Sequence, residues 1–460
     1  MTANTVGVIG RHAILGAVLI GALRCHSQLF MAGASHQASD SDHNVNSVIH
    51  WNEIASEMML EVGPVMDSRA QAILHTAIHD AVNAIERRYE PYTFNERAPA
   101  GANIDAAVAS AAREVLLALV PGQRERTERE YAATLGALPN AGKEEGVMVG
   151  RQAAKANLDR RAADGVPAGR WPPQSGSITQ PVYVPTGKPG DYAFTPPFDK
   201  APMGPLALFP GWGALRPFAV DIKKYTLHGP DPLTSAAYAR DLDSMKALGG
   251  LTSALRTKDQ TEIAFFWFEP FENWNEIARN AIAARGSDVW ESARICALAY
   301  LAVADAAIAV FEAKYRYRFW RPFTAIRRAH EDANPATQPD EEWLPLLWPT
   351  SNTSPFLIPP IPDYPSAAAT LSAAAAEVLK NTIGDSASFV VSSRFLPGVT
   401  RRFTTFSQAA HEAAMSRFFG GIHFLRAVRD GEALGKQIGG DVSRLLPPVG
   451  KATSQRADDL

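Results

Sequence analysis

The chain has 460 residues, enough for two or three domains or for one large helical unit. Hydrophobic residues make up 46% and charged residues 20%, the balance of a globular protein with a sizeable core, which excludes a disordered or collagen-like chain. A formal charge of −3 offers no basic field for nucleic acid. Two cysteines, Cys25 and Cys296, are too few for a disulfide framework or a thiolate zinc site.

The N-terminus reads as an export signal. Arg11 and His12 precede an apolar run over 13–23, and Ala32-Gly33-Ala34 fits an A-x-A cleavage site. Residues 1–34 are therefore expected to be a signal peptide, and the mature protein to be periplasmic or secreted. No later stretch reaches the roughly 18 apolar residues of a membrane span, so none is expected.

From Trp51 onward apolar residues recur at helical spacing. Ile104, Val108, Ala111, Val115 and Leu119 form one stripe, opened by Asn103 as N-cap and closed by Pro121-Gly122. Residues 70–85 and 145–162 read the same way. Residues 164–217 change character: Trp171-Pro172-Pro173, Lys188-Pro189-Gly190 and Thr195-Pro196-Pro197 permit neither a long helix nor a central strand. A link this long is unusual in a compact domain and is often a functional or wrap-around segment. Helical patterns resume near Thr234, and a second Pro-rich stretch interrupts them at 345–365. No run of several period-2 strands appears. The expected fold is all-α, two packed helical bundles joined by a long Pro/Gly-rich segment. Its parts would be an N-terminal bundle over 35–163, the link over 164–217, a C-terminal bundle with the oxyanion site over 218–450, and a polar tail over 451–460.

Three segments bear the chemistry. In the first, Lys314 and Arg321 are seven residues apart, so on a continuous helix they project in one direction. Pro322 disfavours helical geometry at Arg321 and sets that guanidinium at the helix end. Two fixed cations suit an oxyanion, Arg as a fork and Lys as a point charge. In the second, Asp363-Tyr364-Pro365-Ser366-Ala367-Ala368 opens an alanine-rich helix. The N–H groups of Ser366, Ala367 and Ala368, with the Ser366 hydroxyl, form an anion site at its N-terminus. Asp363 is a possible cap of that helix. In the third, Arg417 and His423 flank Phe418-Phe419-Gly420-Gly421-Ile422, adding a cation and an imidazole able to bond phosphorus or a metal.

In this order the segments resemble the vanadium-dependent haloperoxidase and type-2 phosphatidic acid phosphatase superfamily, whose pattern is K-x6-R-P, then P-S-G-H, then S-R-x5-H. Resemblance to the haloperoxidase branch extends over most of residues 50 to 445. It includes Phe319-Trp320-Arg321-Pro322, His79-Asp80-Ala81-Val82-Asn83, Tyr89-Glu90-Pro91-Tyr92 and Gly420-Gly421-Ile422-His423-Phe424. The resemblance implies a vanadate cofactor, with phosphate as competitor, held by Lys314, Arg321, Ser366, Ala367, Arg417 and His423. His423 would be the vanadium ligand, or in a phosphatase the nucleophile that forms phosphohistidine. Hydrogen peroxide and a halide or a small organic molecule would be the substrates, and an oligomer is compatible with the family.

One position departs from the pattern. Where the family has P-S-G-H, this chain has Pro365-Ser366-Ala367-Ala368. Ala368 stands where the resemblance places an acid–base histidine, a type of help worth about 10² to 10⁴ in rate. An impaired or altered haloperoxidase is therefore expected. The alternatives are a phosphate-ester hydrolase on the same scaffold and a non-catalytic oxyanion-binding relative. Among the other histidines, His330 and His411 read as surface groups, while His75 and His79, one helical turn apart, read as packing rather than as a metal pair. Phe311, Trp320 and Trp348 are candidates to line a pocket.

Overall fold

The protein is described from a computed structural model covering residues 46–166, 181–349 and 356–450. The expected signal peptide, the tail over 451–460 and Trp171-Pro172-Pro173 lie outside the described residues.

The helices begin where side-chain acceptors meet their orphan N–H groups. Helix α1 (Ser47–Met59) starts at Asn46, which accepts from Val48 N–H, and α2 (Pro64–Ile85) starts on a proline whose missing N–H costs nothing there. Helix α3 (Ile104–Leu119) is capped by Asn103, which accepts from Ala106 N–H at 2.9 Å. Helices α4 (Arg124–Ala137) and α5 (Lys143–Arg161) complete the first half. After the link come α6 (Ala236–Gly249), α7 (Lys258–Phe266), α8 (Pro270–Arg285) and α9 (Val289–Tyr317). Helix α9 packs against α2 on one side and α11 (Ala367–Ile383) on the other. It is long and apolar enough to cross a membrane, yet 94% of its most apolar window is buried inside the fold, as suits a central core helix.

Beyond α9 lie the short α10 (Pro322–Arg327), α11, α12 (Phe406–Phe419) and α13 (Leu425–Val442). The described residues are all-α apart from one antiparallel hairpin, β1 (Ser386–Ser392) and β2 (Thr400–Thr405), which sequence reasoning missed. Most of its residues are exposed or half-buried, so the pair lacks the apolar alternation that announces a strand.

Two packing features position the site. First, α13 lies almost backbone-to-backbone on α11. A Cβ at Gly435 would stand 2.1 Å from the Thr370 carbonyl oxygen, so only glycine fits there. Second, the described part of the link is strapped to the end of α9. Tyr192 N–H donates to Arg318 O at 2.6 Å, and Trp320 N–H donates to Gly190 O at 2.9 Å. Asp305 of α9 fastens the link again, accepting from the N–H groups of Phe218, Ala219 and Val220. Helices from both halves contribute to one apolar core.

Candidate active site

The first cation pair forms differently from its sequence expectation. Helix α9 ends at Tyr317, where Arg318 takes a left-handed C-cap conformation, so Lys314 and Arg321 do not share a helix. An extended stretch follows, and Arg321 itself is extended (φ −75°, ψ 154°), as a residue before proline prefers. The turn, not helical periodicity, brings Arg321 back beside Lys314.

Lys314 Nζ donates to the carbonyl oxygens of Pro362 (2.8 Å) and Asp363 (2.9 Å). Arg321 Nε donates to Ile361 O at 2.7 Å and Nη1 to Ile422 O at 2.7 Å, while Nη1 also stands 3.1 Å from Nε2 of His423. Arg417 reaches Ser416 Oγ and the carbonyl oxygens of Phe268 and Trp267. Lys314 and Arg321 have no exposed surface, and Arg417 and His423 are almost as deeply buried. Gly421 makes the turn between Arg417 and His423: its φ is +77°, and a Cβ there would meet Gly249 O at 2.2 Å.

Ser366 is the N-cap of α11, its Oγ facing Ala369 N–H at 3.5 Å. Asp363 therefore does not cap that helix: its N–H donates to Phe319 O, and its side chain turns into the cationic cluster. The Ser366 N–H is likewise not free for an anion, because it donates to Ala427 O at 2.9 Å. The N–H groups of Ala367 and Ala368 have no partner among the described residues. Ala368 is half-buried on the first turn of α11.

Burial is the dominant electrostatic fact. It pulls the Lys314 ammonium well below its ordinary range, with Arg321 adding repulsion, and pulls His423 down likewise, with Arg321, Lys314 and Arg417 contributing. Arg417 is pushed down to about 10 by the same desolvation. Two carboxyls share the space, Asp363 and, beside Arg417, Glu269. Burial pushes Asp363 up to about 7 against the pull of Arg321 and Lys314. Its Oδ1 lies 2.9 Å from Nδ1 of His423, but the approach falls outside hydrogen-bond geometry, and neither carboxyl oxygen has a hydrogen-bond partner.

An oxyanion fits this donor set. Lys314 keeps one donor hydrogen not used within the chain, and Arg321 and Arg417 keep two each; Nη2 of Arg321 is buried with no partner at all. Three buried cations share this space with two carboxyls, Asp363 and Glu269, which leaves the cluster short of an anion. An apolar cluster of Phe268, Leu347, Ile358 and Ile422, with Phe323, Trp348 and Phe356 against it, borders the carbonyls that hold Arg321 and Arg417. Trp348 thus lies near the site, whereas Phe311 and Trp320 are fully buried in the main core. The reading of the other histidines agrees with their surroundings. His75 bonds Asn52 and stacks on Tyr300, His79 bonds Asn83 and Glu90 O, and His330 and His411 are mostly exposed. No cluster of three or more metal-ligating side chains occurs among the described residues.

Sequence reasoning missed the direction of the Asp363 side chain and the Trp267–Phe268 carbonyls that hold Arg417. A carboxylate three residues before the helix-capping serine was the available signal for the first. Nothing local announced the second.

A family model described as the VCPO second helical-bundle domain matches residues 294–447. Vanadium chloroperoxidase of Curvularia inaequalis is 28% identical over 412 residues, 74% of this chain and 66% of that protein. Among solved structures, a bacterial vanadium-dependent iodoperoxidase superposes with a TM-score of 0.73 at 23% identity, covering 90% of this chain and all of that one. A bacterial vanadium-dependent chloroperoxidase in its holo form superposes with a TM-score of 0.66 at 18% identity, covering 83% and 91%. With the motif order and the helical fold, these matches make the chain similar to the vanadium-dependent haloperoxidases, in sequence over residues 294–447 and in fold over most of its length.

Proposed function

We propose that the protein binds vanadate in the Lys314–Arg321–Arg417–His423 cluster and uses it to oxidise halide with hydrogen peroxide. The observation that supports this most is the convergence of three buried cationic side chains on one imidazole, with five donor hydrogens and two helix-terminal N–H groups left over. In this reading vanadate supplies a Lewis-acidic centre that makes peroxide electrophilic. Lys314, Arg321 and Arg417 would neutralise its oxygens, the Ala367 and Ala368 amides would add hydrogen bonds, and His423 would be the ligand. Ser366 acts through its backbone placement and as helix cap. The apolar border excludes water and so strengthens each of these interactions.

Ala368 brings no imidazole that could move a proton at the bound group, so the activity is expected to be low. Titration with orthovanadate, followed by a peroxide and halide assay, tests the reading. Binding that phosphate displaces and that the His423→Ala variant loses is the expected result. Vanadate affinity unchanged in both His423→Ala and Lys314→Ala would remove the site assignment. Phosphate release from a generic ester by the metal-free protein would favour the hydrolase alternative. Tight binding without either turnover would favour the oxyanion-binding relative.

A further inference from the structure

Asp363 is a buried carboxyl that faces an imidazole nitrogen. It has no exposed surface, both oxygens lack a hydrogen-bond partner, and Oδ1 is 2.9 Å from Nδ1 of His423. Arg321 Nη1 stands 3.1 Å from Nε2 and 3.5 Å from Nδ1. A guanidinium can only donate, and standing near both nitrogens it does not alone decide which of them keeps the lone pair. A hydrogen on Nδ1 of the neutral imidazole faces the Asp363 carboxyl and leaves Nε2 as the lone-pair nitrogen. Hydrogen bonds of this kind are commonly poorly aligned in an empty site and tighten when the site fills.

We infer that Asp363 is a positioning residue for His423: its carboxyl oxygen accepts the Nδ1 hydrogen, fixes the imidazole in the Nδ1–H form and holds Nε2 as the lone-pair nitrogen aimed into the cationic cluster. The backbone of the same residue places two further parts of the site. Its carbonyl accepts from Lys314 Nζ, and its N–H is tied to Phe319 O, two residues before Arg321. One residue thus sets the lysine by its main chain and the histidine by its side chain. The geometry is that of the partner which ligating histidines usually keep on their second nitrogen, and loss of such a partner typically costs about 10- to 100-fold in affinity for the bound metal. The inference rests on the proposed role of His423 for its consequence, but not for its geometry.

The test uses the full chain labelled with ¹⁵N-histidine, with His423 identified by the signals missing from the His423→Ala spectrum. Without vanadate, the wild-type imidazole should be neutral with Nδ1 protonated. In Asp363→Ala the tautomer ratio should shift toward Nε2–H, while Asp363→Asn, whose amide oxygen can accept the same hydrogen, should hold it. Orthovanadate affinity should fall about tenfold or more in Asp363→Ala and recover most of that in Asp363→Asn. Should Asp363→Ala fail to fold, Asp363→Ser, too short to reach the ring, must show the same shift. An Nε2-protonated wild type, or an unchanged tautomer in the Ala or Ser variant, overturns the inference. If wild-type protein binds no vanadate the proposed function fails, and the tautomer measurement still decides the role of Asp363.

Discussion

Arg321 and His423, 102 residues apart in sequence, meet with Nη1 3.1 Å from Nε2, and the same guanidinium nitrogen donates to the carbonyl of Ile422 next to that histidine. The guanidinium is therefore a clamp on the His423 loop as well as a charge. Lysine cannot reproduce it, because a point charge with a flexible stem cannot serve Ile361 O, Ile422 O and an anion in one plane. Arg321→Lys should lower orthovanadate affinity at least tenfold. It should also destabilise the fold by about 1–3 kcal/mol for each buried carbonyl left without a donor. Isothermal titration and a denaturant melt on this variant check both numbers.

Restoring an imidazole at position 368 tests what the chain has lost. The side chain leaves the first turn of α11, beside two unpartnered N–H groups, and a helix backbone fixes the Cβ direction. Ala368→His should raise halide oxidation by one or more orders of magnitude, the size of a typical acid–base contribution of about 10² to 10⁴. The gain should follow a new pH limb near the ordinary histidine pKa of about 6.5. If neighbours have closed over the space, a melt will instead show a loss of about 1–3 kcal/mol from overpacking, with no gain in rate.

Halide preference should follow the same deficit. With peroxide activated by cations and amides alone, the easier oxidations persist, iodide first and bromide next, while chloride falls away. Initial rates at equal halide concentration measure this order. Chloride turnover faster than bromide turnover would contradict it.

Asp67 of α2 gives a stability test away from the site. Burial, with Glu272 adding repulsion, pushes its carboxyl up to about 8 despite a hydrogen bond from Gln71, and its Oδ1 has no geometric partner. A pKa raised above the unfolded value of 3.8 means that the native state holds its proton more tightly. The contribution is complete below pH 4 and is lost as pH rises toward 8. Asp67→Asn should therefore melt at nearly the wild-type temperature at pH 4 and progressively above it by pH 8. Parallel melting curves across that range would refute the assignment.

Much of the site was legible because its pieces are local motifs: a lysine and an arginine seven residues apart, a proline-started helix after a serine, an arginine six before a histidine. Their convergence needed the fold, and in one case occurs for a reason periodicity could not give, since α9 stops before Arg321. The helices were legible at residues such as Asn103, where cap and apolar stripe agree. The β1–β2 hairpin was not, because packing against other elements rather than alternation decides its pairing. Asp363 was read as a cap because Asp before a helix usually is one. Ser366 occupies that role, and only the third dimension shows the carboxyl turned toward His423.

The strap between the link and the end of α9 has a consequence for how the protein matures. Residues 190–192 bond residues 318–320, immediately before Arg321, so that guanidinium takes its place only after a loop of well over a hundred residues has closed. Closures of such long range carry a large entropy cost and form slowly. Competence to capture an oxyanion should therefore appear late in refolding, after helical circular dichroism has recovered. Bound vanadate would then count finished molecules, not collapsed ones.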